Sequence, residues 1–135
     1  MNKNVVEFIS EKAQFAPGVK GKVLAFLNYL EKEQDDFYYP LAKIKKITDL
    51  DVVDSMSVAR FFCSKSISLL EPKFIYINHD DDVIEITKTD FNSAIVSVDS
   101  SFKTEDSTLL QPFDNKRLKF YFVRKVEVEY EEYEW

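Results

Sequence analysis

The chain has 135 residues, 45% hydrophobic and 15% aromatic, which is enough for one domain with a real core and too apolar for intrinsic disorder. Net charge is −6, but five of the 24 acids lie in the last ten residues; the rest is nearly neutral, unlike a typical nucleic-acid-binding domain. A single cysteine excludes an intrachain disulfide, no apolar run reaches the roughly 18 residues of a membrane span, and the first residues lack a signal-like apolar core, so a soluble cytoplasmic chain with no membrane partner is expected.

Residues 4–15 read as a first helix, with Val5, Ile9 and Ala13 on one face. Ala16, Pro17 and Gly18 break it. A second helix is predicted from about 19 to 34, with Val23, Phe26, Leu27 and Leu30 as its apolar face. Phe37, Tyr38 and Tyr39 before Pro40 favour an extended strand. Pro40 suits the first position of a short helix over 41–47, where Leu41, Ile44 and Ile47 form a stripe and Lys43, Lys45 and Lys46 point outward.

Asp49 or Asp51 can cap the next helix, 52–64. Val52, Met56, Ala59 and Cys63 recur at intervals of 4, 3 and 4 with Phe62 adjacent, so they should face the core, with Asp54, Ser55, Ser57, Arg60 and Ser64 mostly outward. Two β-branched runs, 74–77 and 83–86, flank the polar tip Asn78-His79-Asp80-Asp81-Asp82 and predict a hairpin. Asp90 is expected to cap a short helix from Phe91 to about Val96. A polar loop covers 99–106, and 109–113 is ambiguous. Residues 118–130 read as one long strand or a strand with a bend, with Phe120, Phe122, Val126, Val128 and Tyr130 on one side and Arg124 interrupting it. Leu27, Leu30, Ile44, Ile47, Met56, Phe62, Leu69 and Ile84 are expected to be buried together.

Catalytic patterns are scarce. Two glycines leave no phosphate loop, dinucleotide fingerprint or nucleophile elbow, and one histidine leaves no multi-histidine metal site. Cys63 and His79 could in principle make a nucleophile and a base, but Cys63 lies on the apolar stripe of a helix and His79 at a hairpin tip, and Cys63 reads as core. Asp80, Asp81 and Asp82 are consecutive rather than alternating and no glycine follows, so they read as a solvated turn and not a cation loop. Lys116, Arg117, Lys119, Arg124 and Lys125, interleaved with Phe120, Tyr121 and Phe122, allow a nucleic-acid stacking strand; a half-buried strand with snorkelling lysines is the plainer reading. The end of the chain alternates apolar and acidic residues. It reads equally as an edge strand guarded by charge or as a docking segment formed by Tyr130, Glu131, Glu132, Tyr133, Glu134 and Trp135. No catalytic residue, metal or cofactor is expected.

The order short strand, helix, turn, helix, hairpin over about residues 19–98 resembles the winged helix-turn-helix superfamily. That resemblance implies an α+β fold: a single domain, 1–135, with an N-terminal helical extension and a C-terminal extension of about 99–135 that holds a β-strand and an acidic tail. In that family the second helix of the motif enters the major groove and the wing touches the flanking backbone. Lys43, Lys45, Lys46, Arg60 and Lys65 would then be the nucleic-acid contacts. The acids oppose this: Asp51 and Asp54 sit at the start of the would-be recognition helix, and three aspartates sit at the wing tip. More loosely, the chain is similar to small winged-helix accessory subunits such as the middle component of bacterial ABC-three-component defence systems, which links an SMC-like ATPase to an effector. The expectation is a non-enzymatic adaptor subunit with protein partners in a larger complex; the alternative is a DNA-binding transcriptional regulator using the helix at 52–64 and the wing at 74–86.

Overall fold

A computed structural model describes residues 5–7, 9, 15 and 18–125. The fold is mixed α and β. Its elements are α1 (Val19–Lys32), β1 (Tyr38–Tyr39), α2 (Leu41–Thr48), α3 (Val52–Cys63), β2 (Leu70–Ile77), β3 (Val83–Ile86), α4 (Lys88–Ala94), β4 (Phe102–Lys103), β5 (Leu109–Leu110), a 3-10 turn (Asn115–Arg117) and β6 (Leu118–Arg124). Hydrogen bonding orders one sheet β1-β6-β2-β3 and pairs β4 with β5 in another. The described residues up to 71, together with 123–125, form one compact unit, and Pro72–Phe122 form a second. No described helix is long and apolar enough to cross a membrane.

The first unit is helical. Val5, Val6, Glu7 and Ile9 are helical, with Val5 and Ile9 buried; the rest of the first predicted helix lies outside the described residues, apart from Phe15, whose ring meets Phe61 edge-on at 5.1 Å. Helix α1 starts after Gly18, whose φ of 89° lies in the left-handed region that glycine enters without steric cost. Val19, Val23, Phe26, Leu27 and Leu30 are its buried face, and it ends two residues earlier than its periodicity suggests. Pro40 precedes α2 as its N-cap rather than filling its first turn, and Ile44 and Thr48 are the buried positions. Thr48 is tolerated inside because its hydroxyl donates to the Ile44 carbonyl at 2.7 Å.

Asp51, not Asp49, caps α3, accepting from the Asp54 amide at 2.8 Å. Asp49 instead closes α2 with φ 56°. The buried face of α3 is Ser55, Val58, Ala59 and Phe62. This corrects the expected face: Val52 is 50% exposed, Met56 and Cys63 are half-buried, and Ser55 is inside. The helix turns so that Phe62 meets Phe26 edge-on at 5.1 Å, and Phe26 in turn meets Tyr39 at 5.8 Å. The Ser55 hydroxyl keeps a partner in the Leu50 carbonyl at 3.5 Å.

The second unit is built on the hairpin. β2 and β3 pair antiparallel from Phe74↔Ile86 to Ile77↔Val83, in the arms the residue pattern predicts, although β2 begins earlier, at Leu70. Thr87, not Asp90, caps the helix that follows; its hydroxyl accepts from the Asp90 amide at 3.0 Å. The helix therefore starts three residues before Phe91 and ends at Ala94. The core is Tyr76, Ile86, Ala94, Leu110, Phe113 and Leu118, with Phe74, Ile84, Phe91 and Phe102 packed against it. Ile84 thus belongs to this core and not to the one holding Leu27, Leu30, Ile44 and Phe62. Ile47, Met56 and Leu69 are half-buried, and Leu70 takes the enclosed position expected of Leu69.

Candidate functional site

The five cations assigned to nucleic acid are not equivalent. Lys43 is occupied: its ammonium pairs with the Asp36 carboxylate, donates to the Tyr38 carbonyl at 3.0 Å and lies 4.8 Å from the centre of the Tyr39 ring. The Tyr29 hydroxyl donates to the same carboxylate oxygen, Asp36 Oδ2, at 2.8 Å. Burial works to raise the Asp36 carboxyl, but the bonds from Lys43 and Tyr29 and the Lys43 charge outweigh it and hold the group below the usual carboxylate range. The bond to Asp36 pushes the Tyr29 phenol up to about 12. Lys43 is therefore a strut between β1 and α2, which removes it from the candidate contacts. Lys46, Arg60 and Lys65 are exposed, and Lys45 is half-buried.

Around the start of α3 the surface is apolar and acidic. Val52 is 50% and Val53 72% exposed. Asp51 and Asp54 bracket them, and the Asp51 carboxylate already occupies one of the amides that a phosphate would seek at this helix end.

The late basic cluster is largely committed to structure. Arg124 donates from Nη2 to the Leu30 and Glu33 carbonyls at 2.8 and 3.0 Å and to the Tyr39 hydroxyl at 3.3 Å, and from Nε to the Asp36 carbonyl at 3.3 Å. It caps the C-terminal end of α1, where carbonyls lack helical partners and positive charge is favoured. This is why a cation interrupts the apolar side of β6. Arg117 likewise donates to the Ile77 and Asn78 carbonyls at 3.3 and 2.9 Å and lies 3.7 Å from the Asp81 carboxylate. Lys125 reaches the Ser68 hydroxyl at 2.8 Å. Phe122 is buried and Phe120 packs against Phe91 and Phe122, so these rings serve a core and do not form a stacking platform. No part of the sequence pattern announced Arg124 as a helix cap, because its carbonyl partners lie some ninety residues away along the chain.

Cys63 lies in the first unit and His79 in the second. Burial, aided by the Glu71 charge, pushes the Cys63 thiol up to about 11, which keeps it protonated at neutral pH. His79 sits at the hairpin tip, 3.6 Å from the Asp80 carboxylate. The tip is a side-chain-mediated turn: Asn78 Oδ1 accepts from the Asp80 and Asp82 amides, both at 2.9 Å, and Asp81 takes φ 64°. Among the described residues no group of three or more His, Cys, Asp or Glu side chains is placed to hold a metal ion. Tyr130, Glu131, Glu132, Tyr133, Glu134 and Trp135 lie outside the described residues. Comparison of the chain with protein-family models, curated proteins and solved structures returns no match.

Proposed function

We propose that the chain is a non-enzymatic winged helix-turn-helix adaptor subunit that joins protein partners in a larger complex. Support for the fold assignment is the run α2, a three-residue connection over 49–51, α3 and the β2–β3 hairpin. The observation that carries protein over DNA is the first turn of α3. Two exposed valines flanked by acids suit an apolar, basic-rimmed protein surface, whereas a groove-reading helix needs cations and neutral donors there. In this reading the complex is a cytoplasmic bacterial assembly of the kind used in anti-phage defence, and the segment Tyr130, Glu131, Glu132, Tyr133, Glu134 and Trp135 is a second docking element.

The test is a pull-down from the native host with the wild-type chain and with the Val52→Ser, Val53→Ser double variant. Both sites are exposed, so the variant should keep its melting temperature and lose most of its co-purifying protein. A parallel anisotropy titration against genomic fragments at about 150 mM salt should show no affinity near 10⁻⁸ M, the usual range of regulators. Binding of that strength, with a homodimeric mass and loss on Lys46 or Arg60 substitution, would replace the adaptor with the DNA-binding regulator.

A further inference from the structure

β3 ends the strand order of its sheet, so one side of it pairs with β2 and the other carries no strand among the described residues. The phase of the ladder fixes which residues face that free side. The Asn78 amide donates to the Asp82 carbonyl at 3.0 Å, which makes 78 and 82 a hydrogen-bonded pair. Antiparallel pairs alternate, so Tyr76–Ile84 and Phe74–Ile86 are bonded and Ile75–Glu85 and Ile77–Val83 are not. The amides and carbonyls of Val83 and Glu85 therefore point away from β2. Neither residue makes a backbone bond outside the ladder among the described residues.

A groove of about 750 Å³ lies beside the end of β3, lined by residues 84–87 and also by Pro72, Lys73 and Phe74 of β2, with Val83 just outside its lining. Its lining takes Ile84 and Ile86 from the core face of β3 and Glu85 from the opposite face. Its far wall is the connection between β4 and β5, from Thr104 to Thr108. That wall is pinned: the Glu105 amide donates to the buried Asp90 carboxylate at 3.1 Å, and Asp106 accepts from the Thr108 amide and hydroxyl at 3.2 and 2.8 Å and from the Thr104 hydroxyl. Four carboxylates line the groove, those of Glu85, Asp90, Glu105 and Asp106, against the ammonium groups of Lys73 and Lys88. Lys73 already faces Glu85 at 3.4 Å, and the Glu105 side chain is exposed.

We propose that this groove takes an extended basic peptide, which adds as a strand to the free edge of β3 and places Lys or Arg side chains against Glu85, Glu105 and Asp106. Backbone pairing to Val83 and Glu85 supplies the register, and the acidic walls supply the preference for positive charge. Charge also argues against a second copy of this chain, since edge-to-edge pairing of two β3 strands brings like acidic edges together. This surface belongs to the second unit and does not depend on the assignment made above for α3.

The test is an amide-shift titration of the full chain with an end-blocked peptide of alternating Thr and Lys. The matched peptide of alternating Thr and Glu, and the Thr-Lys peptide N-methylated along one edge, are the controls. Shifts should concentrate at Val83, Glu85 and residues 104–106. The Glu peptide and the N-methylated peptide should bind at least tenfold more weakly, and Glu105→Lys should weaken the Thr-Lys peptide several-fold. Glu85→Pro removes an outward amide and should abolish binding; if it unfolds the hairpin, the N-methylated peptide carries the same test with the protein unchanged. Equal binding of both charge types, full binding after N-methylation or shifts elsewhere would overturn the proposal. So would a dimeric sedimentation mass without peptide that is lost in Glu85→Pro, which would assign the edge to self-pairing.

Discussion

The two units solve the same problem with different means. In the first, α1, α2 and α3 satisfy most of their own backbone groups, with Arg124 serving the carbonyls at the end of α1, and have mainly apolar faces to bury, so Phe26, Leu27, Ile44, Val58 and Phe62 close a core with almost no exposed area. In the second, short strands and long connections leave backbone groups that no ladder reaches, and side chains must satisfy them. The Tyr76 hydroxyl donates to the Pro112 carbonyl and accepts from the Asp114 amide, both at 3.1 Å. Asn115 holds the Ile95 and Ser97 carbonyls at 3.2 and 3.0 Å. Asp90 and Arg117 do the same for the β4–β5 connection and the hairpin end. Apolar area stabilises the first unit, and specific polar bonds shape the second.

That contrast can be tested by removing one anchor of each kind. Phe62→Ala should cost about 3–5 kcal/mol, the range for an enclosed aromatic, read from urea unfolding by circular dichroism. An unchanged melt would contradict the assigned face of α3. Tyr76→Phe keeps the ring that stacks on Phe113 at 5.2 Å and deletes only the hydroxyl. It should cost about 1–3 kcal/mol, because the Pro112 carbonyl and Asp114 amide lose their shared partner, and exchange of the Asp114 amide should accelerate most. If Tyr76→Phe is neutral, solvent serves those groups and the second unit depends on area as the first does.

The smallest effect is one of pH. The Tyr29 phenol is raised in the folded chain from 10.0 to about 12 by its bond to Asp36. Its contribution is therefore complete below pH 10 and is lost as pH rises through the window from 10 to 12. Asp36 runs the other way: its lowered carboxyl contributes above its unfolded value of 3.8 and loses that contribution as pH falls below it. Both groups are partly solvated, so each limb should amount to at most about 1 kcal/mol. Tyr29→Phe should flatten the alkaline limb of stability against pH relative to wild type.

Helix and hairpin positions were legible in the sequence because their signals are local: apolar residues at helical spacing in α1, an aspartate before α3, and β-branched arms around a polar tip for β2 and β3. The rotation of α3 was not, since Val52, Met56, Ala59 and Cys63 make as regular a stripe as the true face of Ser55, Val58, Ala59 and Phe62; the edge-on contact of Phe62 with Phe26 of α1 chose between them. Nor was the division into two cores, which placed Ile84 away from Leu27. For the candidate surfaces, the acids at the start of α3 could be read directly, but the loss of Lys43 to Asp36 and of Arg124 to the end of α1 could not. Charge type is written in the sequence; whether a charge is free depends on partners brought near by folding, and these can lie seven residues away, as Asp36 does from Lys43, or about ninety, as Leu30 does from Arg124.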